Sequence, residues 1–150
     1  MKHKIGFNAL SRNGAERKAL LRNMVTSLLR FERIETTAAK AKEVRRLAEK
    51  MITRAKVDNV HNRRLTSAVL FDEAVVNKLF TEIAPLYADV NGGYTRIVKM
   101  QSRLGDAADM VILELTKKTE KKDSKEAKKE AKTEKKSEKK SEKKAEKKAE

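Results

Sequence analysis

The sequence predicts a two-layer α/β (α+β) domain in which helices cover one face of a small mixed sheet. Two apolar stripes at helical spacing flank a short β-favouring segment, RIETT. Two later segments have strand character and are joined by an eight-residue connection, SRLGDAAD. The resulting order of helix, strand, three helices and two strands is typical of helices layered on a sheet.

Residues 1–12, MKHKIGFNALSR, are predicted to form a basic N-terminal arm. They show neither a helical nor a strand period. Frayed ends are common in proteins, but the cations of this segment favour an arm that acquires its conformation on a polyanionic partner. The domain itself is predicted to span residues 13–118.

The first helix is predicted to begin after Asn13, with Glu16 in the capping-box position. Its core stripe consists of Leu21, Met24, Val25, Leu28 and Leu29. The strand at residues 33–37 follows, and Thr37 can cap the second helix. The apolar stripe of that helix consists of Ala41, Val44, Ala48, Met51, Ile52 and Ala55, and Lys and Arg cover most of its remaining surface.

A third helix is predicted around residues 60–70. A fourth begins at Asp72 and Glu73, because acidic side chains favour a helix N-terminus. Its core stripe consists of Val75, Val76, Leu79, Phe80 and Ile83, and Pro85 marks its approximate end. A turn at residues 91–93 precedes the two strands, predicted at residues 94–101 and 110–116.

Charge separates the domain from a C-terminal tail. The chain carries a formal charge of +15. Residues 1–118 hold 23 Lys and Arg against 13 Asp and Glu, so the domain is basic by itself. Residues 119–150 contain no Arg and no Leu, Ile, Val, Phe or Met. We predict that this Lys/Glu-rich tail is disordered, because it cannot bury apolar surface to offset the entropy of ordering.

The sequence argues against catalysis, metal binding and membrane insertion. It has no cysteine, and its histidines, His3 and His61, stand in no metal-ligand spacing. No glycine-rich phosphate loop is present, and no apolar run is long enough for a membrane span. We therefore expect a non-enzymatic cytoplasmic protein with no cofactor and no metal.

The arrangement of basic residues predicts contact with nucleic acid at many phosphates. Two roles fit Tyr94 equally, stacking on a base or anchoring the core or a turn. RNA recognised by shape is favoured, and a histone-like DNA-compacting protein is the alternative. The candidate RNA-binding residues are Lys2, His3, Lys4, Arg12, Arg17, Lys18, Arg22, Lys40, Lys42, Arg45, Arg46, Arg63, Arg64, Tyr94, Arg96 and Lys99.

Several motifs occur together and in order: ALLRNM, SLLR, IETT and KAKEVRRLAE, then GGYTRIVK and RLGDAADM. With them, residues 1–117 resemble the bacterial large-subunit (50S) ribosomal protein seventeen family. The resemblance implies a structural constituent of the large ribosomal subunit that binds its rRNA and supports translation. It further implies neighbouring large-subunit proteins as partners, one copy per ribosome and a cytoplasmic location on the ribosome. It says nothing about the tail.

Overall fold

A computed structural model describes residues 7–118 of the chain. The predictions for residues 1–6 and for the tail at 119–150 lie outside the described residues. Residues 7–12 of the predicted arm contain neither helix nor strand, and Leu10 and Ser11 adopt positive φ angles of 57° and 51°. The Asn8 N–H donates to Glu43 Oε1 at 3.1 Å, which ties this segment to the second helix.

The predicted element order is confirmed. The helices and strands in chain order are α1 (Gly14–Phe31), β1 (Arg33–Thr37), α2 (Ala38–Ala55), α3 (Val60–Ser67), α4 (Glu73–Lys78), a π-helical turn (Leu79–Ile83), α5 (Ala84–Leu86), β2 (Thr95–Lys99) and β3 (Met110–Leu115).

The three strands form one sheet in the order β1-β3-β2. β3 pairs antiparallel with both neighbours, with Ile34 opposite Leu113 on one side and Ile97 opposite Leu113 on the other. The sheet is therefore antiparallel throughout, where the sequence predicted a mixed one. A hairpin connection makes β2 and β3 antiparallel, but how β1 pairs depends on the path of the helices between β1 and β2.

The core lies between one face of the sheet and the helices, as predicted. The predicted stripe of α2 is buried in full, and in α1 Val25, Leu28 and Leu29 are buried while Leu21 and Met24 pack against them partly exposed. The predicted stripe of the fourth helix is buried as well. Because the helices cover one face, the opposite faces of α1 and α2 are left for charged side chains.

Side chains cap three of the helices. Asn13 Oδ1 accepts the Glu16 N–H at 2.8 Å, and Asn59 Oδ1 accepts the Asn62 N–H at 2.6 Å. Asp72 Oδ1 accepts the Ala74 N–H at 3.0 Å. Thr37 occupies the N-cap position of α2, but its side chain makes no capping hydrogen bond. Strand β1 ends at Thr37, so the change from strand to helix marks the start of α2 without a side-chain cap.

The fourth helix continues past Pro85 by way of the π-helical turn. The Ala84 N–H donates to Leu79 O, a hydrogen bond that spans five residues instead of four. Proline has no N–H and its ring crowds the preceding turn, so a wider turn there relieves both problems. The helix then ends at Leu86.

Within residues 7–118, no helix is both long enough and apolar enough to cross a membrane.

Candidate nucleic-acid interface

A row of four cations runs along the outer face of α2. Lys42, Arg46, Lys50 and Arg54 follow one another at intervals of four residues, and all four side chains are exposed. This spacing places them on one side of the helix, opposite its buried stripe. We call these four residues the α2 row. Like charges four residues apart repel each other on a helix, so the row is a place where an external anion is favoured.

The acidic residues of α2 compensate this row in part. Arg46 lies 3.9 Å from Glu43, and Arg45 pairs with Glu49 at 3.1 Å. Both carboxylates also accept a hydrogen bond from outside α2. Glu43 accepts the Asn8 N–H, and Glu49 accepts the Thr95 hydroxyl at 3.2 Å. No carboxylate of the described residues pairs with Lys42, Lys50 or Arg54.

A second group of cations lies at the N-terminal end of α1. Arg12 and Lys18 are exposed. The guanidinium carbon of Arg17 lies 4.2 Å from the centre of the Phe7 ring, and Phe7 is half exposed. Arg17 therefore holds the end of the arm against α1 through a cation–π contact.

Arg22 is partly buried and braces the connection between α3 and α4. One of its terminal N–H groups donates to Ala68 O at 3.1 Å. Its guanidinium carbon lies 4.7 Å from the centre of the Phe71 ring. The sequence offered Arg22 as an RNA contact, whereas these contacts give it a role within the fold.

Arg63 and Arg64 are neighbours in α3 with different surroundings. Arg63 makes a two-pronged contact with Asp58, at 2.6 and 2.7 Å, and covers the Phe80 ring at 4.8 Å. The hydrogen bond from Arg63 lowers the pKa of Asp58 below its ordinary value. Arg64 is exposed and makes no ion pair with the described residues. Arg64 is therefore the one of the two that is left for a ligand.

On the sheet, Arg96 is paired and Lys99 is not. Arg96 Nε lies 2.5 Å from Glu114 Oε1, and Lys118 Nζ lies 3.0 Å from Glu114 Oε2. The hydrogen bonds from Lys118 and Arg96 hold the pKa of Glu114 below its ordinary value. Lys99 is exposed, with no ion pair among the described residues.

Tyr94 belongs to the core. It is 3% exposed, and its ring meets that of Tyr87 edge-on, with centres 5.2 Å apart. The ammonium of Lys56 lies 5.0 Å from its centre. Hydrogen bonding with Thr53 and then Lys56 lowers the pKa of the Tyr94 hydroxyl. Of the two roles that the sequence left open for Tyr94, the structure shows the core role, because its ring is covered.

The remaining candidates are Lys40, which is half-buried, and Lys42, Arg45 and Arg46, which are exposed. Lys2, His3 and Lys4 lie outside the described residues. Sequence reasoning left out Lys50 and Arg54, which complete the α2 row. They continue the four-residue interval between Lys42 and Arg46, and that interval was the signal that could have included them.

The sequence model of the family described as ribosomal protein L17 matches residues 20–116, which is more than half of the chain.

The chain belongs to the ribosomal protein L17 family.

The L17 relatives cover most of the domain. The large ribosomal subunit protein bL17 of Borrelia turicatae is 59% identical over 119 residues, covering 79% of this chain and 96% of that protein. The protein of the same name from Treponema denticola is 61% identical over 115 residues, covering 77% of this chain and 64% of that protein. The segment matched by the L17 model contains all of α2 and its row of cations.

No group of three or more His, Asp or Glu residues within 7–118 lies close enough together to hold a metal ion.

Proposed function

We propose that this L17-family chain is a structural constituent of the large ribosomal subunit and binds large-subunit rRNA through the α2 row and the cations beside it. The observation that carries the proposal is the α2 row, in which the exposed charges exceed the carboxylates that could neutralise them. Its relatives are named large ribosomal subunit protein bL17, and these names support the large subunit as the assembly. In this role the protein positions RNA and catalyses no reaction.

The distribution of ion pairs divides the cations of the domain into engaged ones and available ones. Arg63, Arg96 and Arg103 are paired with carboxylates of their own chain. Among the described residues, eight cations are exposed and make no ion pair, side-chain hydrogen bond or cation–π contact: Arg12, Lys18, Arg33, Lys42, Lys50, Arg54, Arg64 and Lys99. These eight side chains are available to displace counterions from phosphates.

The alternative is a histone-like protein that compacts DNA. Charge alone does not separate the two polyanions, since both offer phosphates at close spacing. Membership of the L17 family favours RNA. From this membership we also expect neighbouring large-subunit proteins as partners, one copy per ribosome and a location on cytoplasmic ribosomes.

The test is binding of the full chain to protein-free large-subunit rRNA over a range of salt concentrations. Replacing Lys42 and Lys50 together by Gln should weaken binding and lower the slope of log affinity against log salt by about 1 to 2, because each phosphate contact contributes about 0.7 to 0.9. The matched control is Lys78→Gln, because Lys78 is engaged with Glu32 at 2.7 Å and with Arg30 O at 2.9 Å.

An unchanged slope in the Lys42→Gln/Lys50→Gln chain, at unchanged helix content, would remove the α2 row from the interface. Duplex DNA of the same length provides the comparison with the alternative. If the unaltered chain binds DNA and rRNA equally at every salt concentration, the DNA-compacting function is the better one. Absence of the chain from salt-washed large subunits would contradict the structural role itself.

A further inference from the structure

Phe71 is the most exposed aromatic side chain among the described residues, with 72% of its surface open to solvent. The fold holds the residues on both sides of Phe71 in place. Leu70 before it is buried in the core at 1% exposure. Asp72 after it caps α4 and is paired with Arg30. The backbone thus presents the ring outward from a rigid connection between α3 and α4.

Arg22 holds the ring from one side. Its guanidinium stacks over the ring at 4.7 Å, while its N–H bond to Ala68 O anchors it to the same connection. The Arg22 Nε is itself buried, so the guanidinium is not a mobile surface group. A ring backed by a planar cation on one face and open on the other offers one free face for stacking.

The charges around Phe71 disfavour a phosphate and suit an uncharged flat ligand. Arg22 is engaged with the ring and with Ala68 O, and Arg30 is engaged with Asp72. Glu73, the next residue, is exposed and acidic. A nucleobase is planar and uncharged, and bases outside a duplex stack on aromatic side chains in RNA-binding proteins.

We propose that Phe71, backed by Arg22, is a stacking site for an unpaired base of the bound RNA. The proposal rests on the proposed function, since it specifies which part of an RNA this side of the domain takes. It divides the surface into two kinds of contact: the α2 row for phosphates, and the Phe71 ring for a base.

The absence of tryptophan from the chain gives a direct test, because Phe71→Trp introduces a single indole at the site. Phe71 is exposed, so the larger ring is accommodated without disturbing the core. The full chain is titrated with single-stranded oligoadenylate of about 12 nucleotides, a length within the range of single-strand binding sites. Stacking of a base on the indole quenches its fluorescence, and we expect strong quenching by the single strand and little by a blunt RNA duplex.

Phe31→Trp is the matched control. Phe31 is 65% exposed, and no guanidinium or ammonium stacks on its ring within residues 7–118. We expect its indole to remain unquenched at the same concentration of bound oligoadenylate. A second measurement uses Phe71→Leu, which should bind oligoadenylate about five- to tenfold more weakly and the duplex equally well.

The outcomes separate the two proposals. If the chain binds oligoadenylate and large-subunit rRNA but Phe71→Trp is not quenched and Phe71→Leu binds equally well, the stacking site is wrong and the exposed ring is better explained as a contact for a protein. Equal quenching of the Phe71→Trp and Phe31→Trp chains also overturns the site. If neither RNA binds at all, it is the proposed function that fails.

Discussion

Arginine serves two purposes in this domain, and its neighbours decide which. Arg63 and Arg96 are held by carboxylates of the chain, and Arg22 is held by a carbonyl and a ring. Arg64 is exposed without such a partner among the described residues. A guanidinium that is already paired has its charge partly neutralised and fewer N–H donors left for a phosphate, so the paired ones mainly stabilise the fold and the unpaired ones are more available.

The adjacent pair in α3 tests this division. We expect Arg63→Ala to lower the melting temperature, because it releases Asp58 and uncovers the Phe80 ring. We expect Arg64→Ala to leave the melting temperature unchanged and to lower the salt slope of rRNA binding by about 1. Thermal unfolding followed by circular dichroism and rRNA titrations measure the two effects. If instead Arg64→Ala lowered the melting temperature and Arg63→Ala lowered the salt slope, the ion pair between Arg63 and Asp58 would not decide which arginine binds RNA.

At the scale of elements, α2 is the organising helix, with one face in the core and the other carrying the α2 row. Ala41, Ala48 and Ala55 recur every seven residues, and each is at most 2% exposed. Recurrence every seven residues keeps them close to one line along the helix. Small side chains on that line let α2 lie close against the sheet and α1, where larger ones would push the layers apart.

Enlarging the middle alanine should therefore disturb the packing. We expect Ala48→Leu to destabilise the domain by about 1 to 3 kcal/mol, the usual effect of overfilling a packed core. The control is Ala39→Leu on the exposed side of the same helix, which should change stability by less than about 0.5 kcal/mol. Denaturant unfolding provides both values. Equal stability of the two variants would mean that α2 does not pack as closely as its buried alanines indicate.

Over the described domain as a whole, several carboxylates are held ionised by neighbouring cations. Hydrogen bonds from Arg63, Arg30 and Arg103 lower the pKa values of Asp58, Asp72 and Asp106, the last to about 2. Hydrogen bonds from Lys118 and Arg96 lower that of Glu114. Each of these groups stabilises the folded state above its unfolded pKa, and that stabilisation is lost as the pH falls through its folded pKa.

We therefore expect the melting temperature to be level near neutral pH and to fall from about pH 5 downward. Protonation also removes negative charge from a domain that is already strongly positive, which adds self-repulsion in the same direction. Thermal scans across this range measure the effect. Glu114→Gln should start with lower stability at pH 7 and show a shallower acid dependence. A melting temperature that rises on acidification would contradict the role of these ion pairs.

The sequence by itself determined the order of the elements, the core-facing stripes of the helices and the family. It could do so because apolar residues at helical spacing in Val25 to Leu29 or Ala41 to Ala55 encode a buried face locally. The net charge of the domain and the Arg-rich faces of its helices are equally local, since each residue contributes its charge wherever it lies. The ordered motifs that resemble the L17 family needed no structure either.

Only the tertiary structure decided which candidate residues are free to bind. Arg96 meets Glu114 across a pair of strands, and Arg22 meets Phe71 from a distant helix. Tyr94 turned out to be covered by Tyr87 and Lys56. The antiparallel pairing of β1 with β3 likewise joins segments far apart in the chain. Composition and periodicity carry no information about such partners, because a side chain's neighbours across the fold are set by how the layers pack and not by its own segment.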